Sequence, residues 1–291
     1  MPSANAPAPK AGRIARLLCL PATLWITVLS LVPLLLVAAI SFMSRDDIGT
    51  LTLPLTLESY SRLLGFGPFG FEPLYPQIFF RTAIIALATT ALSLALALPL
   101  AFAIRSLPGR WRGVALTLVV VPLWTNLVVR TYAWQLLLGP DSWLAAASAS
   151  LGWLQPGEGL YPSLGAVLLG MVADYLPFVT LPLYASVERL DWTLVEAAAD
   201  LGAKGWRLFR HGILPQIWPG LAAGTTLTFI PSLGQFLVPD LLGGGKTLLL
   251  GNVLQQQFGT SGDWPFGSAI AVVSLLLVGI ASALQRLRKR A

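Results

Sequence analysis

The 291-residue chain offers little for covalent chemistry: it holds one histidine, His211, and one cysteine, Cys19. A Ser–His–Asp relay or a thiol–imidazole pair needs a histidine beside its nucleophile. His211 stands in a charged loop and Cys19 in an apolar run, with no Cys, His or carboxylate cluster at metal-ligand spacing. No catalytic residue and no metal site is therefore assigned. The segment Asp240–Thr247 (DLLGGGKT) ends as a phosphate loop does, in Gly245-Lys246-Thr247. Asp240, however, takes the place of the first glycine of G-x4-GK[ST], which the backbone needs to wrap the phosphates. Asp174 poses a different question, because it falls in the middle of an apolar run. A carboxylate inside a bilayer costs several kcal/mol unless it is paired or faces a wet cavity. Two readings follow. Asp174 lines a path that attracts a cation, with Asn126, Trp124 and Tyr175 supplying polar and aromatic faces for an ammonium group. Or it is held internally by Arg130 or Asn126, and the aromatic residues are packing.

The elements that would position these residues are set by composition. The chain is 55% hydrophobic and 11% charged, with a mean hydropathy of +0.73, whereas a soluble domain carries about 25% charged residues. Six stretches approach the roughly 20 apolar residues needed to cross a hydrocarbon layer about 30 Å thick: 17–43, 78–104, 113–138, 163–186, 219–239 and 266–284. The first is too long for the apolar part of a cleaved signal. The net charge is +6, but the basic residues cluster between the apolar runs, which reads as a topology signal rather than a nucleic-acid surface. With the N-terminus inside, the inner segments hold Lys10, Arg13, Arg16; Arg105, Arg110, Arg112; Arg189, Lys204, Arg207, Arg210; and Arg286, Arg288, Lys289, Arg290. That is 14 of the 19 Lys and Arg, as the positive-inside rule requires. The expectation is an all-α membrane protein of six transmembrane helices with both termini cytoplasmic. Residues 1–16 form an N-terminal tail, 17–285 the membrane domain and 286–291 a basic tail. Pro33, Pro99, Pro122, Pro177, Pro182 and Pro231 interrupt the spans, and each removes a backbone hydrogen bond.

The longest inner loop, 187–218, reads VERLDWTLVEAAADLGAKGWRLFRHGILPQIW. Thr193 and Glu196 stand at capping-box spacing. Ala197, Ala198 and Ala199 favour helix, and Gly202 is placed to end it. A second amphipathic stretch carries Trp206, Phe209 and Ile213 opposite Lys204, Arg207 and Arg210, with Pro215 expected to end it. Such a helix–Gly–helix element suits docking into a groove of another protein.

Glu196-Ala197-Ala198, Gly202 and Leu214-Pro215 resemble the EAA loop of binding-protein-dependent ATP-binding-cassette importer permeases, EAA-x3-G-x9-I-x-LP. Gly212 departs from it in the isoleucine slot, with Ile213 next to it. The segments 121–139, 175–191 and 238–269 are similar to the spermidine/putrescine permease branch, most of all to the first of its two permease subunits. The resemblance implies a coupling helix between spans four and five, seated in a cleft of an ATPase dimer. It also implies a second, sibling permease subunit, a periplasmic or extracellular solute-binding protein, and a place in the bacterial cytoplasmic membrane. ATP and Mg would be bound by the ATPase, leaving no cofactor in this chain. The solute would be a polyamine or another small charged molecule. Competing classes are an ion-coupled secondary transporter, which calls for internal repeats or paired broken helices, and a membrane-embedded enzyme, which calls for clustered His, Asp or Ser within the spans.

Overall fold

The computed structural model describes residues 11–46, 51–53, 55–67, 70–155, 157–245 and 247–288. Lys10, Asp47, Lys246, Lys289 and Arg290, which bear on the charge and phosphate-loop readings, lie outside the described residues. In chain order the elements are α1 (Ala11–Ile40), β1 (Ser44–Arg45), β2 (Leu51–Thr52), α2 (Glu58–Leu63), β3 (Phe66–Gly67), β4 (Gly70–Phe71), α3 (Leu74–Ser106), α4 (Gly109–Trp124), α5 (Leu127–Leu138), α6 (Trp143–Ser150), α7 (Leu164–Glu188), α8 (Trp192–Asp200), α9 (Trp206–Leu208), a π-helical turn (Phe209–Ile213), α10 (Leu214–Leu233), α11 (Leu237–Gly243), α12 (Leu250–Phe258) and α13 (Trp264–Arg288). The strands form two short antiparallel pairs, β1–β2 and β3–β4.

Among the described residues, three helical stretches are long and apolar enough to cross a membrane unaided: Cys19–Ile40, Leu74–Ser106 and Leu164–Glu188. Two more qualify as bent pairs, Gly109–Trp124 with Leu127–Ser150 at 97°, and Trp206–Leu233 with Leu237–Gly243 at 65°. The last expected span falls on α13, where Trp264–Ile280 is apolar.

Both bends follow a proline. Pro122 and Pro231 sit in the last turns of α4 and α10, where the ring removes the N–H that would donate to the carbonyl four residues earlier and so weakens the helix end. The residue three positions on closes a tighter turn instead: Thr125 N–H donates to the Pro122 carbonyl at 3.3 Å, and Gly234 N–H to the Pro231 carbonyl at 3.1 Å. Asn126 then starts α5 by accepting from Val128 N–H at 2.8 Å, an N-cap in the usual sense. Pro99, Pro177 and Pro182, by contrast, lie inside α3 and α7, which stay continuous.

The chain forms two compact units, one from the chain up to Glu72 together with the chain from Gln257 on, the other from Pro73 to Gln256. In the first unit α13 packs on α1 and α2. Asp263 caps α13, accepting from Phe266 N–H at 3.2 Å, and pairs with Arg62 of α2 at 3.0 Å. The Arg62 guanidinium lies 4.3 Å from the centre of the Phe266 ring.

In the second unit α3, α7 and α10 pack together. Glycines let α10 approach α7 closely: a Cβ on Gly224 would stand 3.2 Å from Val179 Cα, and one on Gly220 only 2.6 Å from the Pro182 carbonyl oxygen. This is the small-residue packing that membrane helices use in place of a hydrophobic driving force. The unit holds two apolar cores, named inner for the one that carries the α8 loop and outer for the other. An inner core gathers Ala97, Ala101 and Ile104 of α3, Val179, Leu183 and Val187 of α7, Val195 of α8 and Ile217 of α10, with Ala115, Leu116 and Val119 of α4 against it. An outer core gathers Ile85 of α3, Leu138 of α5, Val167, Met171 and Tyr175 of α7, and Val238 and Leu242 of α11.

Candidate functional site

The loop singled out by its sequence is a two-helix hook whose stem is built into the inner core. Helix α8 is capped by Asp191, one of whose carboxylate oxygens accepts from Thr193 N–H at 2.9 Å and from the Thr193 hydroxyl at 2.6 Å. This corrects the expectation that Thr193 is the cap. Asp191 sits one residue before the first helical residue, and its carboxylate serves as acceptor to Thr193 rather than leaving Thr193 to serve Glu196. Those hydrogen bonds, the side-chain one foremost, hold the Asp191 carboxyl below its ordinary value.

The far end of α8 closes as expected at Gly202. Ala203 N–H reaches the Ala198 carbonyl at 3.1 Å and Gly202 N–H the Ala199 carbonyl at 2.9 Å, the paired closure of a Schellman motif. Gly202 adopts φ +87°, a left-handed conformation that costs a residue with a Cβ about 1–2 kcal/mol. A Cβ there would meet nothing within 4 Å, so the demand for glycine is conformational. Gly205, at φ +53°, turns the chain again before α9.

Pro215 does not end the second amphipathic stretch. Helix α9 runs through the π-helical turn directly into α10, and Pro215 occupies the first turn of α10, where its missing N–H is tolerated. Gly212, the departure from the EAA pattern, is buried in the π-helical turn. A Cβ on it would lie 3.5 Å from both Ala198 Cβ and Val195 Cα, an ordinary contact distance, so the turn packs against α8 without requiring glycine. Sequence reasoning missed Gln216. Its Nε2 donates to the Gly212 carbonyl at 2.8 Å and to the Asp191 carbonyl at 3.3 Å, and its Oε1 accepts from Asp191 N–H at 2.9 Å. The signal was a lone amide directly after Leu214-Pro215.

Only Val195 of α8 is buried. Glu196, Ala197, Gly202 and Pro215 are exposed, while Ala198 and Leu214 are half-buried. Beside them Leu201 is 90% exposed and Trp206 70%, and the Trp206 ring stacks on Phe209 at 5.3 Å. The hook therefore presents a small-residue face, the exposed carboxylates of Glu196 and Asp200, and an apolar tip.

Within the membrane helices the candidate path residues separate. Asp174 is buried and pairs with Arg130 Nε at 2.7 Å, the internal arrangement of the two considered. Its other oxygen, Oδ2, has no hydrogen-bond partner among the described residues. Tyr175 is buried in the outer core, its ring 6.3 Å from that of Phe178. Trp124 and Asn126 stand exposed at the α4–α5 bend, and Asn126 is used by α5 as its cap rather than by Asp174.

Comparison with known proteins bears on both the loop and the bundle. Residues 93–290 match the family described as binding-protein-dependent transport system inner membrane component. The chain is 38% identical to the spermidine/putrescine transport system permease protein PotB of Haemophilus influenzae, covering 88% of this chain and 87% of that one. It is 36% identical to the protein of the same name from Escherichia coli, over 88% and 90%. In fold it is similar to a chain of a bacterial ABC transporter involved in the import of the acidic polysaccharide alginate, with a TM-score of 0.64 at 18% identity, over 97% of this chain and 99% of that one. The chain thus belongs to the binding-protein-dependent inner membrane component family, and is a multi-pass permease subunit of an ATP-binding-cassette importer.

Proposed function

We propose that this subunit forms half of a polyamine pathway, spermidine or putrescine being the solute, and that the α8 hook is its coupling helix. The solute reading is supported by 36–38% identity to permeases named for spermidine and putrescine. The observation that carries the coupling reading is the construction of the hook. Val195, Leu208, Phe209 and Ile213 root it in the inner core that also holds α3, α4 and α7, while Glu196, Ala197 and Leu201 face outward. A push on the exposed side is delivered to the membrane helices through packed side chains, which are dense and poorly compressible.

In this reading the six apolar stretches all span the membrane and both termini are cytoplasmic. Residues 17–285 form one permease domain flanked by the two tails. Glu196, Ala197, Ala198, Gly202, Leu214 and Pro215 form the coupling site. A sibling permease supplies the other half of the pathway, an ATPase dimer binds ATP and Mg, and an external binding protein delivers the solute. The position of Asp174 in an ion pair with Arg130 removes it as a free counter-charge, so Trp124 and Asn126, exposed at the bend, are the better candidates to meet the solute. The test is ATP hydrolysis by the complex purified through a tag on this chain and reconstituted with its binding protein. Stimulation by spermidine or putrescine supports the reading. Hydrolysis indifferent to both removes the polyamine assignment, and a preparation without a co-purifying ATPase removes the coupling assignment.

A further inference from the structure

The two cores of the Pro73–Gln256 unit are bridged by elements of unequal stiffness. Helices α3 and α7 pass from one to the other without a break, whereas the path through α4 and α5 turns by 97° between them. Helix α4 is also the loosest of the group, with no buried residue. Between it and α3 and α7 lies an apolar hollow of about 370 Å³ lined by Leu100, Ala115, Pro122, Ala173, Leu176 and others. Packing alone therefore leaves the α4–α5 bend weakly determined.

One side chain closes this gap. Arg130, in the first turn of α5, donates through Nη1 to the Pro122 carbonyl of α4, and through Nε it pairs with Asp174 of α7 at 2.7 Å. Asp174 falls at the seam, next to Tyr175 of the outer core and two residues before Leu176 packs on the inner one. The planar, multidonor guanidinium reaches both partners at once, which a lysine ammonium does less well. Thr125 adds its own hydroxyl to the same Pro122 carbonyl at 2.7 Å.

We infer that Arg130 is a positioning residue for transport: by fixing the bend against α7, it makes the outer core follow a displacement that enters through the inner core. This rests on the coupling-helix reading above. It differs from a charge-neutralising role, in which Arg130 and Asp174 merely cancel one another inside the membrane.

The two roles separate in the double variant Arg130→Met/Asp174→Leu, assayed in the whole importer. Apolar replacement of a buried ion pair is commonly neutral or stabilising, so the subunit is expected to accumulate and to co-purify its ATPase. Spermidine uptake is expected to fall more than tenfold. The exchange Arg130→Asp/Asp174→Arg restores opposite charges but takes from the Pro122 carbonyl the guanidinium that ties it to α7, and is expected to stay equally low. Arg130→Lys, which keeps the charge, is expected to be intermediate, and it decides the matter should the double variants not accumulate: wild-type uptake by Arg130→Lys, or by either double variant, overturns the inference. Gly202→Asp in the same assay reports on the coupling reading by itself, since normal uptake there sinks that reading whatever Arg130 does. Should the wild-type importer take up no spermidine, only the solute assignment fails. The same variants are then ranked by binding-protein-stimulated ATP hydrolysis, with the same expected order.

Discussion

Gln216, in the first turn of α10, grips the main chain of Asp191 in both directions, accepting from its N–H at 2.9 Å and donating to its carbonyl at 3.3 Å. Residues 25 apart in sequence are thereby held together at the root of the hook, just where α7 gives way to α8. Gln216→Ala removes these bonds and the one to Gly212. Each hydrogen bond contributes about 0.5–1.5 kcal/mol net, and the exposed partners can turn to water. The expected outcome is a subunit present at normal level, with binding-protein-stimulated ATP hydrolysis lowered several-fold. Unchanged stimulation would show that the grip is dispensable.

Gly202 separates backbone demand from surface demand. Its φ of +87° with open space around a Cβ predicts that Gly202→Asn, a residue that visits left-handed conformations, keeps most uptake. Gly202→Ala bears about 1–2 kcal/mol of strain and loses more. Gly202→Asp meets the backbone demand as Asn does but adds a negative charge beside Glu196 and Asp200. It is expected to abolish uptake while the subunit stays in the membrane. Equal uptake by the Asn and Asp variants would argue against a docked surface here.

Helix contacts in the second unit make an opposite prediction. At Gly220 a methyl group would press to 2.6 Å on the Pro182 carbonyl oxygen and 2.8 Å on Ser186 Cβ, and backbone cannot swing aside. Overpacking of this kind costs about 1–3 kcal/mol. Gly220→Ala is expected to lower the amount of folded subunit and its midpoint of thermal unfolding in detergent. Gly113→Ala, in α4 with nothing within 4 Å, is expected to leave both unchanged.

The cap of α8 gives a pH signature. Hydrogen bonds from Thr193 lower the Asp191 carboxyl below its ordinary value of 3.8. A group depressed in the folded state contributes stability above its unfolded value and loses it as the pH falls through the folded one. Amide-exchange protection of α8 is expected to be level from neutral pH down to about 4, and to decline only below the ordinary value of 3.8. Asp191→Asn, which caps without titrating, should flatten that decline. A decline already present near pH 6 would assign it to another group.

How much of this was legible in the sequence differs from residue to residue. The apolar runs and the glycine closing α8 were readable because each rests on local chemistry: run length in one case, left-handed backbone in the other. The caps were harder, since Asp191 and Thr193 are both good acceptors two residues apart and only the start of the helix decides between them. Pro215 misled for a related reason. Proline ends a helix in its interior but opens one at its first turn, and the π-helical turn before it carries no compositional mark. The bends were the least readable feature. Pro99 and Pro177 lie in apolar runs just as Pro122 and Pro231 do. The difference is that Thr125-Asn126 and Gly234-Gln235 follow the latter pair, offering a cap or a free backbone where a new helix can begin. The partner of Asp174 was reduced to two candidates, Arg130 and Asn126, and tertiary packing chose between them.

Helix α7 carries side chains into both cores along one unbroken rod, Val167 to Tyr175 for the outer and Val179 to Val187 for the inner. Each added residue turns everything beyond it by about 100°. A single insertion or deletion between Asp174 and Val179 would therefore put the two halves of the rod out of phase, aiming one core's side chains at lipid while the other stayed in place. The stretch from Asp174 to Val179 thus acts as a fixed ruler between the two cores.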